Sequence, residues 1–325
     1  MTFSDHIRSR PNSCCYLCGT EGRVLYEGLQ DKLFQAPGDW NFKRCPNPDC
    51  GLIWLDPIPV EEDISKAYTK YYTHAESAVR ETDFFNMLQN GVSRVLAIVN
   101  PVRRERERLS LMYLDEIKPG KLLDVGCGNG LRLARLRALG WDVVGQDIDP
   151  QAVSYARETF GLEVHLGRLK DIGFPGMSFD AITLNHVIEH AHDPVKLLGE
   201  CQRILRTGGH LVVVTPNSES FAHKHFGAVW RGLEPPRHIH VFSPKTLSAA
   251  ATRAGLTVCR TSTTVANATT FWRGSMMIRN GGMDTSIWTG RSLTRVRALG
   301  YLYRSKFEHV RDTDSGEECV VRATH

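Results

Sequence analysis

The stretch Leu122-Leu-Asp-Val-Gly-Cys-Gly-Asn-Gly130 decides how this 325-residue chain is read. An apolar run ends in Asp124, and three glycines then alternate with single residues. Leu131-Arg-Leu-Ala-Arg-Leu-Arg-Ala-Leu139 follows at helical spacing. The order is strand, turn almost without side chains, helix N-terminus. Such a turn lets a ligand lie against bare backbone, with the free N–H groups of the first helical turn pointing at it.

Outward from this turn, strand and helix patterns alternate. Strands are predicted at Leu122–Val125, Val143–Asp147, Glu163–Leu166, Ala181–Leu184, His210–Thr215, Gly255–Cys259 and Glu318–Arg322. Helices are predicted at Leu131–Leu139, Gln151–Thr159, Pro194–Leu205 and Pro244–Arg253. Strands and helices alternating at these lengths imply a doubly wound α/β fold with a mostly parallel sheet. Residues 61–118 read as a helical linker or lid, with Ile64, Ala67, Tyr68, Tyr71 and Tyr72 and then Val92, Val95, Leu96 and Val99 at helical spacing. Residues 268–308 read as a helical insertion. Its Phe271, Trp272 and Met276 serve either as a substrate wall or as core or dimer interface.

The glycine spacing separates two nucleotide-binding classes. A dinucleotide fingerprint is G-x-G-x-x-G. Here Gly126, Gly128 and Gly130 are spaced G-x-G-x-G, which suits a compact amino-acid-plus-nucleoside ligand. The next strand ends Val143-Val-Gly-Gln-Asp-Ile-Asp-Pro150. Its Asp147 can accept hydrogen bonds from both hydroxyls of a ribose. Asp149 reads as the N-cap of the helix opening at Pro150.

With Ser178-Phe-Asp-Ala-Ile-Thr-Leu184, His186-Val-Ile-Glu-His190 and Leu205–Asn217, these motifs make residues 115–260 resemble the class I S-adenosylmethionine-dependent methyltransferases. The resemblance implies a seven-stranded Rossmann-like domain over residues 119–325. It also implies that Asp124, Gly126, Gly128 and Gly130 hold the methionine end of S-adenosyl-L-methionine. Asp147 would hold the ribose and Ile148 would lie beside the adenine. Leu169 and Asn185 would complete the pocket. The family often has an acidic residue where this chain has Arg168.

Residues 1–60 form a separate module. Cys15-Tyr-Leu-Cys18-Gly and Cys45-Pro-Asn-Pro-Asp-Cys50-Gly are two knuckles, each followed by glycine. Four thiolates at this spacing suit a closed tetrahedral shell, the mark of a structural Zn2+. Cys14 is a competing ligand by position, but Cys15 gives the better spacing. The segment from Arg44 to Tyr72 resembles the zinc-binding N-terminal module of bacterial methyltransferases that act on sugars, polysaccharides or other secondary metabolites. Across residues 12–60, Arg23, Lys32, Lys43 and Arg44 stand against Glu21, Glu27, Asp31, Asp39, Asp49 and Asp56, an acidic balance that disfavours phosphate and hence nucleic acid.

Two histidine clusters carry the candidate chemistry. His186-x-x-Glu189-His190 follows the fourth strand, and helical spacing places the three on one face. Pro235-Pro-Arg-His238-Ile-His240-Val-Phe242 follows the fifth. They resemble the E-x-x-E-H pattern of ubiquinone-pathway and small-RNA O-methyltransferases and the H-x-H-x-F element of the latter, which bind a divalent cation. His186 stands in place of the first glutamate. Two readings stand. In one, His186, Glu189, His190, His238 and His240 supply a second divalent-metal site. In the other, His186, His190 and His240 supply catalysis directly, with His186 or His240 as general base.

Composition bounds the rest. Hydrophobic residues make up 42% of the chain, charged residues 23%, and the net charge is +4. These values are ordinary for a globular protein and do not call for a nucleic-acid partner. No apolar run reaches the ~20 residues a membrane helix needs. The N-terminus lacks an apolar leader, and the odd count of nine cysteines suits thiolate ligands in a reducing, cytoplasmic setting. The expected function is methyl transfer to the hydroxyl of a sugar, glycan or other small molecule. RNA methylation, sugar C- or N-methylation and a non-catalytic binding module are its rivals.

Overall fold

The computed structural model describes residues 6–68, 102–282 and 292–325. The expected helical spacing at Tyr71, Tyr72 and Val92–Val99 therefore lies outside the described residues.

Seven strands form one sheet: Lys121–Val125 (β6), Asp142–Asp147 (β7), Glu163–Leu166 (β8), Phe179–Asn185 (β9), Leu205–Pro216 (β10), Thr257–Thr264 (β12) and Glu318–Thr324 (β13). Their spatial order is β12-β13-β10-β9-β6-β7-β8. The pairs from β10 to β8 are parallel, and β13 is antiparallel to both its neighbours. From β6 the chain works outward through β7 to β8, then returns to lay β9 on the other flank of β6. That reversal makes the gap between β6 and β9 the switch point of the sheet, where open parallel sheets bind ligands.

The sheet is buried on both faces, so its strands alternate between two cores. In β10, Leu211 and Val213 join one cluster, and Val212 and Val214 the other. Local chemistry sets the helix starts. Asp149 accepts the Gln151 N–H, with Pro150 as the first helical residue of Pro150–Phe160. Asp193 and Ser243 cap Pro194–Ile204 and Pro244–Arg253 in the same way. The helix expected to run to Leu205 ends at Ile204, and β10 begins at once, bulged around Gly208 at φ 75°.

The cysteine module is a small antiparallel sheet of Arg23–Leu29 (β2), Trp40–Arg44 (β3) and Ile53–Leu55 (β4), with Ser9–Arg10 (β1) and Ile58–Pro59 (β5) paired as a separate two-stranded sheet. Its fourth strand comes from far along the chain: His240–Val241 (β11) pairs with Trp54 and Ile53. Cys15, Leu17, Cys45, Leu52 and Trp54 are buried in the same cluster as β9 and β10. The module is thus packed against the segment that carries His238 and His240. Helices Ala268–Arg279 and Ser292–Arg311 occupy the expected insertion on either side of residues 283–291.

Candidate functional site

The glycine turn leaves β6 with Gly126, Gly128 and Gly130 at φ 66°, 55° and 77°, a region L-residues rarely occupy. A methyl group on Gly126 would meet Val187 at 2.5 Å, and one on Gly130 would meet Leu162 at 2.7 Å. At Gly128 nothing lies within 4 Å. Two glycines therefore let protein close in, and the middle one faces open space. Asp124 is wholly buried and accepts the Thr183 hydroxyl at 2.6 Å. Its second oxygen has no hydrogen-bond partner, with Arg132 as far as 4.0 Å away. Burial raises its carboxyl above the usual range. An orphaned carboxylate oxygen beside an open glycine fits the ammonium end of an amino-acid ligand.

Asp147 ends β7 and ties the turn to it. Its carboxylate accepts Gly128 N–H at 2.7 Å and Asp149 N–H at 2.9 Å. A carboxylate has about four acceptor positions, so two remain for a ribose diol. Gln146 clamps the same region from a buried strand position: its carbonyl oxygen accepts Gly126 N–H at 3.3 Å and its amide donates to Gly167 O at 2.5 Å. Ile148 is 61% exposed beside Asp147. The side chain of Leu169 is buried in the core. Asn185 is half-buried at the end of β9, and Arg168 pairs with Glu61 of the module.

The histidine clusters divide differently from the helical reading. His186 sits at φ 55°, outside the single 3-10 turn Ile188–His190, so the three residues do not share a helix face. Its Nδ1 is 3.2 Å from Glu189 Oε1 and its Nε2 is 2.6 Å from Glu318 Oε1. Burial opposes its charge, but the two carboxylates outweigh burial and raise its pKa to about 10. An imidazolium has no lone pair with which to take a proton, so a general-base role for His186 would need its ion pairs with Glu189 and Glu318 broken. Against its own burial, Glu189 is drawn down to about 2, chiefly by His186.

Glu189, His190 and His238 converge, with donor atoms within 4.8 Å of one another. His190 Nδ1 lies 2.9 Å from Arg237 O, and His238 Nδ1 lies 2.8 Å from Gly232 O. A carbonyl only accepts, so both Nδ1 atoms carry the proton and Nε2 is the unprotonated atom of each neutral ring, with Glu234 Oε2 3.8 Å from that of His238. Burial lowers both pKa values, keeping the rings neutral. Oε1 of Glu189 is buried without a well-aligned hydrogen bond and faces His186 Nδ1 at 3.2 Å, while Oε2 accepts Thr215 Oγ1 at 2.9 Å. Two neutral imidazoles and one under-satisfied carboxylate fit a transition-metal ion with open positions. His240 stands apart from this group. Its Nδ1 is 3.2 Å from Ala191 O, its ring lies against Tyr16, and burial lowers its pKa to about 4.

Cys15, Cys18, Cys45 and Cys50 also converge, every sulfur within 4.8 Å of the others. Two of the separations are 3.6 and 3.3 Å. Tetrahedral zinc with ~2.3 Å bonds needs sulfurs about 3.8 Å apart, so the set fits that ion. Cys14 is exposed and outside it.

Several partners escaped the sequence reading. Glu318, Thr215 and Thr183 lie on strands read as plain core, and only a polar residue inside an apolar strand signals them. The hydroxyl of Tyr68, a residue whose sequence position suggests a lid or core packing, is 3.1 Å from His190 Nδ1.

Residues 98–261 match the family model described as a methyltransferase domain. A ubiquinone biosynthesis O-methyltransferase of Cereibacter sphaeroides is 36% identical over 130 residues, 38% of this chain and 53% of that protein. This chain thus spans about half the length of that relative. Another of the same name, from Xanthomonas euvesicatoria pv. vesicatoria, is 31% identical over 206 residues, 57% of this chain and 84% of that one. A solved S-adenosylmethionine-dependent methyltransferase from Mesorhizobium loti is 16% identical, with a TM-score of 0.47 over 68% of this chain and 98% of that one. Fold and glycine turn define a class I S-adenosylmethionine-dependent methyltransferase. The chain belongs to the methyltransferase-domain family. Among the described residues no helix is long and apolar enough to cross a membrane.

Proposed function

We propose that this chain transfers the methyl group of S-adenosyl-L-methionine to a hydroxyl oxygen of a small molecule. The observation that carries the reading is the placement of Glu189, His190 and His238 at the sheet edge that also carries the glycine turn. The methyl donor is already activated, so alignment dominates and the remaining task is to take a proton from a weakly acidic hydroxyl. A divalent ion, when bound, would lower that hydroxyl's pKa. Glu189, His190 and His238 would hold it, and Asp124, Gly128 and Asp147 would hold the donor. Cys15, Cys18, Cys45 and Cys50 would hold structural zinc and keep β11 in register.

Relatives named for O-methylation support oxygen as the acceptor atom. They give no support to a sugar or glycan acceptor, so the proposal is made for a small-molecule hydroxyl. The test supplies the enzyme with donor carrying a 13C-methyl group and a small-molecule cell extract, with divalent ions chelated and then restored. A product whose methyl chemical shift reports an O-methyl group, formed only with restored ions, is expected. Attachment to nitrogen or carbon would overturn oxygen transfer, and full activity under chelation with zinc retained would overturn the second metal site.

A further inference from the structure

A cavity lies among the C-terminal helices. Helices Ala268–Arg279, Ser292–Arg311 and Phe221–Phe226 enclose an open space of about 400 Å3, within the size range of small-molecule sites. One wall is aromatic: the Tyr301 ring is 5.5 Å from Phe221 and 6.2 Å from Trp272. The other is cationic. Among the described residues Arg279, Arg297 and Arg304 line the cavity and no acidic residue does. Two guanidiniums already lie over rings, Arg304 over Phe221 at 5.3 Å and Arg279 over Phe226 at 5.7 Å.

Three cations around one cavity repel each other, and a bound anion would relieve that repulsion. His225 on the rim feels the field: burial lowers its pKa first, and Arg304 and Arg279 lower it further. Guanidinium forks match the oxygens of a phosphate, and aromatic faces hold planar rings.

We propose that this cavity binds a phosphate ester carrying a planar ring, the phosphate meeting Arg279, Arg297 and Arg304 and the ring packing against the cavity-lining edges of Trp272 and Tyr301, which are 8% and 7% exposed. Helix Ala268–Arg279 links the cavity to the methyl-transfer edge. Asn267, just before the first of the three helices, donates to Glu318 at 3.0 Å. Trp272 lies five residues further on, about 7.5 Å along the helix axis. The proposal needs no methyl transfer to be true.

Calorimetry on the full chain with phenyl phosphate, inorganic phosphate and a short oligouridylate tests it. Saturable binding of phenyl phosphate, tighter than inorganic phosphate, is expected. Arg297→Glu and Arg304→Glu should each weaken it about tenfold or more, the loss of one charged hydrogen bond. Trp272→Leu should weaken phenyl phosphate but not inorganic phosphate. S-adenosylhomocysteine binding, kept within twofold in all three variants, shows that they fold. No saturation, or equal affinity in the arginine variants, overturns the site. Oligouridylate binding far tighter than phenyl phosphate, and lost with the same arginines, overturns it in favour of a nucleic-acid surface.

Discussion

Nε2 of His186 lies 2.6 Å from Oε1 of Glu318, joining the end of the fourth parallel strand to the last strand of the sheet. Asn267 donates to both oxygens of Glu318 at 3.0 Å, so three elements hold a histidine whose backbone is left-handed. Glu318 is a positioning residue in this account. Glu318→Gln should lower turnover roughly tenfold through loosened orientation of Glu189, with donor affinity within twofold. Steady-state kinetics beside calorimetry checks it, and an equal loss of donor affinity would place Glu318 in the donor pocket instead.

The three glycines should fail in different ways. Gly130→Ala drives a methyl group into Leu162 and Ala156, both packed in the core, and should cost stability well beyond the ~1–2 kcal/mol of a left-handed alanine. Gly128→Ala meets open space, so it should cost about the backbone strain alone and yet weaken donor binding. Thermal melts paired with S-adenosylhomocysteine titration separate the two. Similar melting temperatures for both variants would contradict the account.

Cys45 is buried and clusters with Cys15, Cys18 and Cys50, of which Cys18 is exposed, and β4, which follows the second knuckle, pairs with His240–Val241. Cys45→Ser should abolish stoichiometric zinc and also perturb the segment carrying His238. Metal analysis together with hydrogen exchange at residues 238–241 reports both effects. Lost zinc with unchanged exchange there would uncouple the module from the site.

Glu317 is buried, with Ser305 donating to it at 2.9 Å and Tyr301 at 3.3 Å. Burial pushes its carboxyl from 4.5 to about 8, more than these donors pull it down. The folded chain therefore keeps a proton that the unfolded chain releases across that window. This favours the fold at low pH, and the contribution is lost as pH rises from 4.5 towards 8. Glu317→Gln should flatten that slope and gain roughly 3 °C or more on the parent between pH 5.5 and 8. An unchanged slope would assign it to other groups.

Much of the fold is legible in the sequence because its determinants are local. The period of β9 and β10, the Asp149-Pro150 cap and the glycine turn each lie within a dozen residues. What stayed hidden is non-local. Glu318 is 132 residues from His186, and β11 is too short for any pattern, yet it completes a sheet begun near residue 23. The helical spacing of His186, Glu189 and His190 misled because one left-handed residue breaks the period before a single 3-10 turn. Glu189 and His190 therefore find His238, and His186 finds Glu318.

The central claim is that the donor lies against Gly128 between Asp124 and Asp147. Calorimetric titration of the purified chain and of Asp147→Ala with S-adenosylhomocysteine tests it most directly. The account predicts one site per chain, weakened about tenfold or more when the ribose acceptor and the clamp on Gly128 N–H are both removed. Equal affinity in Asp147→Ala would contradict it.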